Sequence, residues 1–396
     1  MFINVNSDLF ISHQDEEDEF IATLSKVDTP AYVLDIEQLL ENLSIFETIK
    51  KETNCKVLLA LKAFSNPSCF DLISHYLDGT ASSSLNEARL GKREFGKEVH
   101  IYAPAYKSEE FQEIQSIASH VVFNSISQWK LFRDQLDSKV QCGLRINPKY
   151  SEVKEAMYNP CVKGSRLGVT LKELKEQNLE GLKGLHFHVL CEQGSDVLDR
   201  VWKYVEKKVG RYIEHLEWFN IGGGHLIADE DYDVERLIRI INYIQDKYGI
   251  QVVIEPGAGV VVNTGYLVAS VLDIGKNGGN FAILDTSATA HMPDVLETPY
   301  RPDILRAKSP GVYLYTYQLG GLTCLAGDII GTYSFQQPLS VGDKLIFEDM
   351  AQYTMVKNTT FNGISLPSIY TLDETGELYL KQRFGYDDFR LKLGNR

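Results

Sequence analysis

The sequence predicts a parallel (β/α)8 barrel followed by an antiparallel β domain. Two observations carry this. First, about eight strand–helix units alternate across roughly 250 residues, the repeat that closes a parallel barrel. Second, after Gly257 helical periodicity fades and short strands follow one another between Gly, Pro and Asp turns. From the alternation alone, an open doubly wound sheet is the alternative. We divide the chain into an acidic lead-in over 1–28, a barrel over 29–265 and a β domain over 266–396 that takes in part of the N-terminus.

The lead-in carries Asp15, Glu16, Glu17, Asp18 and Glu19 in place of the basic and apolar regions of a signal peptide. "TPAYVLD" reads as a short strand, and "IEQLLENLSIFETIKK" as a helix that Asp35 can cap. "KVLLALKAF" is a buried strand ended by a lone lysine, and "PSCFDLISHYL" is helical. Further strands are "GTASSS", "VHIYAP", "HVVFNS", "QCGLRINP", "GLKGLHFHVL", "LEWFNIGGG" and "QVVIEPG", with helical stretches such as "VLDRVWKYVEKKVGRYIEHL" between them. In the last third, "AILDTSAT", "GVYLYTYQLGGLTC", "GDIIGTYSF", "VGDKLIFEDM", "QYTMVKNTTF" and "GELYLKQRF" read as strands.

Hydrophobic residues make up 44% of the chain and charged residues 24%, the balance of an ordinary globular protein. The apolar runs at 257–262 and 267–272 are too short to span a membrane, so a cytoplasmic protein is expected. Six cysteines without a CxxC pair argue against a disulfide framework or a cysteine zinc site, and no metal is expected. The net charge of -14 repels nucleic acid and anionic membranes and attracts cations, a polycationic substrate among them.

Active sites of β/α barrels lie at the C-terminal strand ends, so polar residues just after apolar runs are the candidates. Lys62 ends "VLLALK", where burial can lower its pKa and make it a nucleophile; a lysine snorkelling from a strand end is the plainer reading. His186 and His188 flank Phe187 and project from one strand face, as ring-stacking or as core histidines. Gly222, Gly223 and Gly224 let backbone N–H groups approach a phosphate, or form a simple turn; the spacing is not the dinucleotide GxGxxG. Glu255, before Pro256, can hold a protonated pyridine nitrogen or an ordinary ion pair. Cys324 in "GGLTCLAGD" is a proton donor or a structural thiol, and Tyr353 a phosphate-binding hydroxyl or a packing ring.

The ordered set of lysine, HxH, GGG, EPG, cysteine turn and "YT…TFNG" resembles the fold type III decarboxylases that use pyridoxal phosphate (PLP), on an alanine racemase-like barrel. Within that group, "LLALK", "LNEA", "YNPC", "SRLG", "LHFHVLCE", "GGGH", "YDVE", "LVASVLDI", "ILDTSATAHMPD", "TCLAGD" and "YTMVKNTTFNG" resemble the carboxynorspermidine/carboxyspermidine decarboxylases of polyamine biosynthesis. The resemblance implies that Lys62 carries PLP and His188 stacks on its ring. Gly223, Gly224 and Tyr353 would hold the phosphate, Glu255 would pair with the pyridine nitrogen, and Arg145 would brace the ring region. Cys324 would enter the partner's site in a head-to-tail homodimer with shared active sites, and Asp294 would bind a substrate amine.

Two positions depart from the pattern. Ala258 stands where the family has a glutamate for the substrate's amino chain, and Leu325 where ornithine and diaminopimelate decarboxylases have an acid. Ala258 leaves open a decarboxylase of another amino acid. A non-catalytic homologue that binds a protein partner is the reading from a different class, and joint retention of Lys62, His188, Glu255 and Cys324 argues against it. The "TCLAGD" turn speaks against a racemase.

Overall fold

The computed structural model describes residues 7–394, with side chains from residue 16. They fall into two compact units: Glu41–Val262, and the segment up to Leu40 together with the segment from Asn263. Among the described residues, no helix is long and apolar enough to cross a membrane.

The first unit is built on eight parallel strands. They are Lys56–Ala60, Gly79–Ser82, Glu98–Tyr102, His120–Phe123, Gln141–Asn147, Gly184–His186, Trp218–Asn220 and Gln251–Ile254. They pair in chain order, and Val253 registers with Lys56 to close the ring into a barrel. A two-residue strand, Val169–Thr170, adds to the edge of Gln141–Asn147. Because helices cover the outside, residues on both strand faces are buried, which is why these strands read as nearly unbroken apolar runs. The helix Ser195–Ile213 supplies part of that cover: Leu198, Val201, Trp202, Val205 and Val209 recur at three- and four-residue spacing and are all buried. The helix Val234–Tyr248 starts where the Asp233 carboxylate accepts the Arg236 N–H at 2.8 Å and stops at Gly249, whose φ is 65°. A cap of that kind contributes about 1 kcal/mol.

The barrel interior is filled by side chains of uneven size. A Cβ on Gly143 would lie 2.3 Å from the Trp218 ring, and one on Gly184 would lie 2.1 Å from it. Two bare positions thus make room for one indole.

The second unit is a sheet of eight strands among the described residues, in the order Ile329–Phe335, Tyr315–Gly320, Asn280–Leu284, Gly265–Lys276, Ala31–Asp35, Ser368–Leu372 and Leu378–Gln382, with Lys344–Phe347 also on Gly265–Lys276. It is mixed, not antiparallel as expected. Ala31–Asp35 runs parallel to Ser368–Leu372, and Asn280–Leu284 runs parallel to Tyr315–Gly320. The strand "TPAYVLD", which fell within the expected barrel segment, is therefore a central strand of this sheet. It is covered on both faces: Ala31 and Val33 pack with Leu24, Val268 and Tyr370, while Tyr32 packs with Leu267 and Phe347. Each such aliphatic burial contributes about 1.5–3 kcal/mol. Asp35 caps the next helix as expected, accepting the Gln38 N–H at 3.1 Å. A second difference lies at "QYTMVKNTTF", where a short helix, Thr354–Lys357, replaces the expected strand. Tyr353 sits at φ 55°, and the Lys357 N–H returns to its carbonyl at 2.9 Å, which breaks strand geometry. Within the acidic lead-in, Ser7–Leu24 is a helix.

Candidate active site

The C-terminal ends of the barrel strands bring six of the sequence candidates into one unit: Lys62, Arg145, His188, Gly223, Gly224 and Glu255. Lys62 lies two residues beyond Lys56–Ala60, and its Nζ is 3.3 Å from His188 Nε2. On the other side of the same ring, His188 Nδ1 accepts the Gly223 N–H at 3.0 Å. An amide nitrogen can only donate, so Nδ1 carries no proton and a neutral His188 must carry it on Nε2. That proton points at Lys62, which then accepts as a free amine. The electrostatics agree. Lys62 is ringed by barrel atoms although the open mouth leaves it within reach of solvent. That partial desolvation, and then the Arg145 cation, lower the pKa of Lys62, while Glu255 opposes them. Burial, followed by Lys62 and Arg145, holds His188 well below the usual histidine range.

The glycine turn is defined by what it excludes. Gly222 and Gly224 adopt φ of 75° and 87°, and a Cβ on Gly223 would lie 2.1 Å from the Glu255 carbonyl oxygen. Asn220, at the end of Trp218–Asn220, ties this turn to the carboxylate. Its Oδ1 accepts the Gly222 N–H at 2.8 Å and its Nδ2 donates to Glu255 Oε1 at 2.6 Å. The other oxygen of Glu255 lies 3.6 Å from His186 Nε2. Arg145 is buried, donates to the His188 carbonyl at 3.0 Å and lies 4.6 Å above the Tyr102 ring. Ala258 opens the short helix Ala258–Val261, half-buried. A Cβ on the preceding Gly257 would lie 2.6 Å from that of Ala63, so this segment packs tightly beside the lysine strand.

Asn220 and Glu87 were not among the sequence candidates. Glu87 adds a negative charge felt by Lys62; its Oε2 accepts the Ser83 N–H at 2.6 Å, and Ser84 caps the Glu87 N–H at 3.2 Å. The signal for Glu87 was the capping spacing inside "SSLNEA", and for Asn220 a lone amide ahead of three glycines.

The other unit holds Cys324, Tyr353 and Asp294. Cys324 is exposed, and its N–H donates to Asn362 Oδ1 at 2.8 Å. The turn that presents it is built on Asp328, a buried carboxylate that accepts from Thr323 Oγ1 at 2.6 Å, Ser287 Oγ at 2.9 Å and the Thr289 N–H at 3.2 Å. Asp328 is a further residue missed in sequence. Tyr353 at φ 55° occupies a backbone region costing about 1–3 kcal/mol for a non-glycine residue, the kind of strain that gathers at functional sites. Asp294 forms an ion pair with Lys357, which also pairs with Glu297, so an ammonium of the chain's own already stands on the carboxylate.

The buried neutral histidines make the barrel acid-sensitive. His225 follows the glycine turn, bonds the Tyr232 hydroxyl at 2.9 Å and is pulled down to about 4 by burial. His186 and His188 are likewise held well below the usual histidine range, by burial first. An unfolded histidine titrates near about 6.5, so below that pH the unfolded chain binds more protons than the folded one. Stability from these groups is complete above about pH 6.5 and falls as pH drops through about 4. Unfolding free energies from urea titrations are expected to be level between about pH 7 and 8 and to decline at about pH 5, by up to roughly 1.4 kcal/mol per histidine per pH unit.

The residues present fit PLP. A neutral lysine, a histidine with its proton fixed, a carboxylate oriented by an amide, and a glycine turn closed to side chains stand together at one barrel mouth. The family model for the pyridoxal-dependent decarboxylases, described by its C-terminal sheet domain, matches residues 31–351. The chain is 45% identical to the carboxyaminopropylagmatine decarboxylase of a Synechocystis strain, over 94% of this chain and 97% of the relative. It is 42% identical to the carboxynorspermidine/carboxyspermidine decarboxylase of Campylobacter jejuni, over 93% of this chain and 99% of the relative. A crystal structure of carboxynorspermidine decarboxylase complexed with norspermidine from Campylobacter jejuni superposes with a TM-score of 0.87 at 41% identity, covering 92% of this chain and all of that one. The chain belongs to the carboxynorspermidine/carboxyspermidine decarboxylase family of fold type III decarboxylases and is a PLP-dependent carboxy-lyase.

Proposed function

We propose that the substrate is a carboxylated polyamine, decarboxylated at the site centred on Lys62, with carboxyspermidine or carboxynorspermidine as the first candidates and spermidine or norspermidine as product. The observation that carries the site assignment is the hydrogen-bond chain from the Gly223 N–H through His188 to Lys62, which delivers a neutral amine at the barrel mouth. The names of the relatives support the substrate class.

Bound PLP supplies the electron sink for the pair left when carbon dioxide departs. Lys62 would hold the cofactor through its amine. His188 would stack on the ring as a neutral imidazole and add no charge there. Glu255 would hold the proton at the pyridine nitrogen, its carboxylate oriented by Asn220. Gly224 would donate to the phosphate, Gly223, whose N–H is taken by His188, would admit it for want of a side chain, and the Tyr353 hydroxyl would be a further phosphate ligand. Cys324 returns a proton to the substrate carbon. We place Cys324 in the site of a partner subunit within a homodimer. In support, Cys324 is exposed together with Leu322, Leu325 and Phe361, an apolar surface suited to burial against a second copy.

Ala258 favours a second substrate reading. Alanine removes an anionic anchor and leaves more room than glutamate. A carboxylated agmatine derivative, with a planar guanidinium in place of a primary amine, fits that change, and such a substrate is named for the Synechocystis relative. Carbon dioxide release across carboxyspermidine, carboxynorspermidine, carboxyaminopropylagmatine and diaminopimelate separates the readings. Turnover of none of the three carboxypolyamines overturns the class.

Ala258→Glu adds a test. A charge-assisted hydrogen bond to a substrate ammonium contributes roughly 1.5–3 kcal/mol, or about one to two decades in affinity. The Michaelis constant for carboxyspermidine or carboxynorspermidine is expected to fall if either is the native substrate. A guanidinium substrate is expected to lose turnover through crowding beside Gly257 and Gly259.

A further inference from the structure

The opposite, N-terminal end of the barrel carries a cluster that the decarboxylation chemistry does not use. Glu98 and His100 lie two apart on one strand, and so project to the same side. His100 registers directly with His120 on the neighbouring strand, and their rings stack with centroids 3.8 Å apart. One ligand atom from each of Glu98, His100 and His120 falls within 4.8 Å of the other two. We propose that these three side chains form a zinc site that ties two adjacent barrel strands together.

Four features support it. First, the donor set of two imidazoles and one carboxylate is one that zinc takes, with about 2.0–2.2 Å bonds and a solvent molecule as fourth ligand. Tetrahedral bonds of that length place ligand atoms about 3.3 Å apart, and Glu98 Oε2 already lies 3.3 Å from His100 Nε2.

Second, the surrounding partners orient the ligands. Ser119 Oγ lies 3.2 Å from the Val99 carbonyl, to which it donates, and 3.0 Å from His120 Nδ1. Its single proton being used, Ser119 accepts from Nδ1–H, which leaves the lone pair on His120 Nε2 for a ligand. The Glu98 carboxylate divides in the same way, with Lys56 Nζ on Oε1 at 2.5 Å and Oε2 turned to the histidines.

Third, His100 is 2% exposed and its ring is stacked on that of His120, so the ligand atoms are held in place and away from bulk solvent.

Fourth, the ion has a way in. Glu98 and Lys56 keep 37% and 31% of their side chains exposed, so solvent reaches the carboxylate from the barrel base. The charged groups acting on the site are Lys56, Glu98 and Glu255, with Trp218 edge-on to His120 at 5.4 Å as its apolar wall. Lys56 is the competing cation.

The test uses PLP-loaded enzyme, stripped with chelator and dialysed against micromolar zinc chloride, with bound zinc measured by elemental mass spectrometry. Wild type is expected to hold about one ion per chain more than His120→Gln, which should bind more than about 100-fold more weakly. Lys56→Met, which removes the competing cation and keeps every ligand, is expected to tighten binding roughly fivefold. Anomalous scattering at the zinc edge should place the ion between the two strands. If His120→Gln fails to fold, Glu98→Gln serves in its place, with retention of the cofactor's visible band as the folding check. Equal zinc in wild type and both ligand variants, or no effect of Lys56→Met, overturns the site.

Discussion

Lys62→Ala is expected to abolish turnover, lowering kcat by at least about 10⁴-fold, because the exchange at the amine is the route by which substrate enters and product leaves. The prediction rests on geometry as well as chemistry. The His188 Nε2 proton points at the Lys62 amine, and desolvation by the barrel wall, with the Arg145 cation, lowers the pKa of that amine. The variant is expected to lose the visible absorbance of covalently held PLP, and borohydride should no longer fix cofactor to the protein. Folding should survive, since Lys62 lies beyond its strand and outside the ladder that closes the barrel. A variant that keeps the visible band and turnover would show that another group holds the cofactor. Lys62→Arg is a sharper control: it keeps a long basic side chain, but its guanidinium stays protonated and is expected to be as inactive as alanine.

Cys324→Ala is expected to slow turnover by about 10²–10⁴-fold while leaving cofactor binding intact, the size of effect for a lost proton donor. Asn362 and Asp328 hold the turn through the Cys324 backbone and through Thr323, so the loop should keep its shape without the thiol. Some of the carbanion is expected to take its proton elsewhere, and analysis of the products in deuterated water would show this. Subunit mixing tests the sharing of sites. Lys62→Ala chains are inactive and Cys324→Ala chains nearly so, but in a shared-site heterodimer one site receives both intact residues. Random exchange is then expected to restore about a quarter of wild-type activity. No recovery in verified heterodimers would mean that lysine and cysteine serve the same chain's site.

The reach of the sequence can be judged residue by residue. Lys62, Glu255 and the glycine turn were legible because a parallel barrel places its chemistry just after apolar strands, and the strands themselves are patterned locally. Asn220 was not, since an amide ahead of three glycines looks like any turn former until the Gly222 N–H and the Glu255 carboxylate are seen converging on it. Asp328 looked like a polar end to a loop, whereas donors from Ser287, Thr289 and Thr323, on two separate segments, close around it and bury it. The cysteine spacing gave no hint of a metal, because the histidines and glutamate at the barrel base are assembled from two strands and carry no spacing signature.

By itself, the sequence determined the alternating elements of the barrel, the helix cap at Asp35, and the order of the catalytic candidates. All of these depend on contacts a few residues apart. Tertiary structure alone decided that Ala31–Asp35 lies parallel to Ser368–Leu372 in the mixed sheet, and that His100 meets His120. It also decided the proton position on His188, through the amide of Gly223. Hydrophobic periodicity says which face of a strand is buried but not which strand lies beside it. That choice is made when the whole apolar surface closes, with every backbone donor satisfied at once.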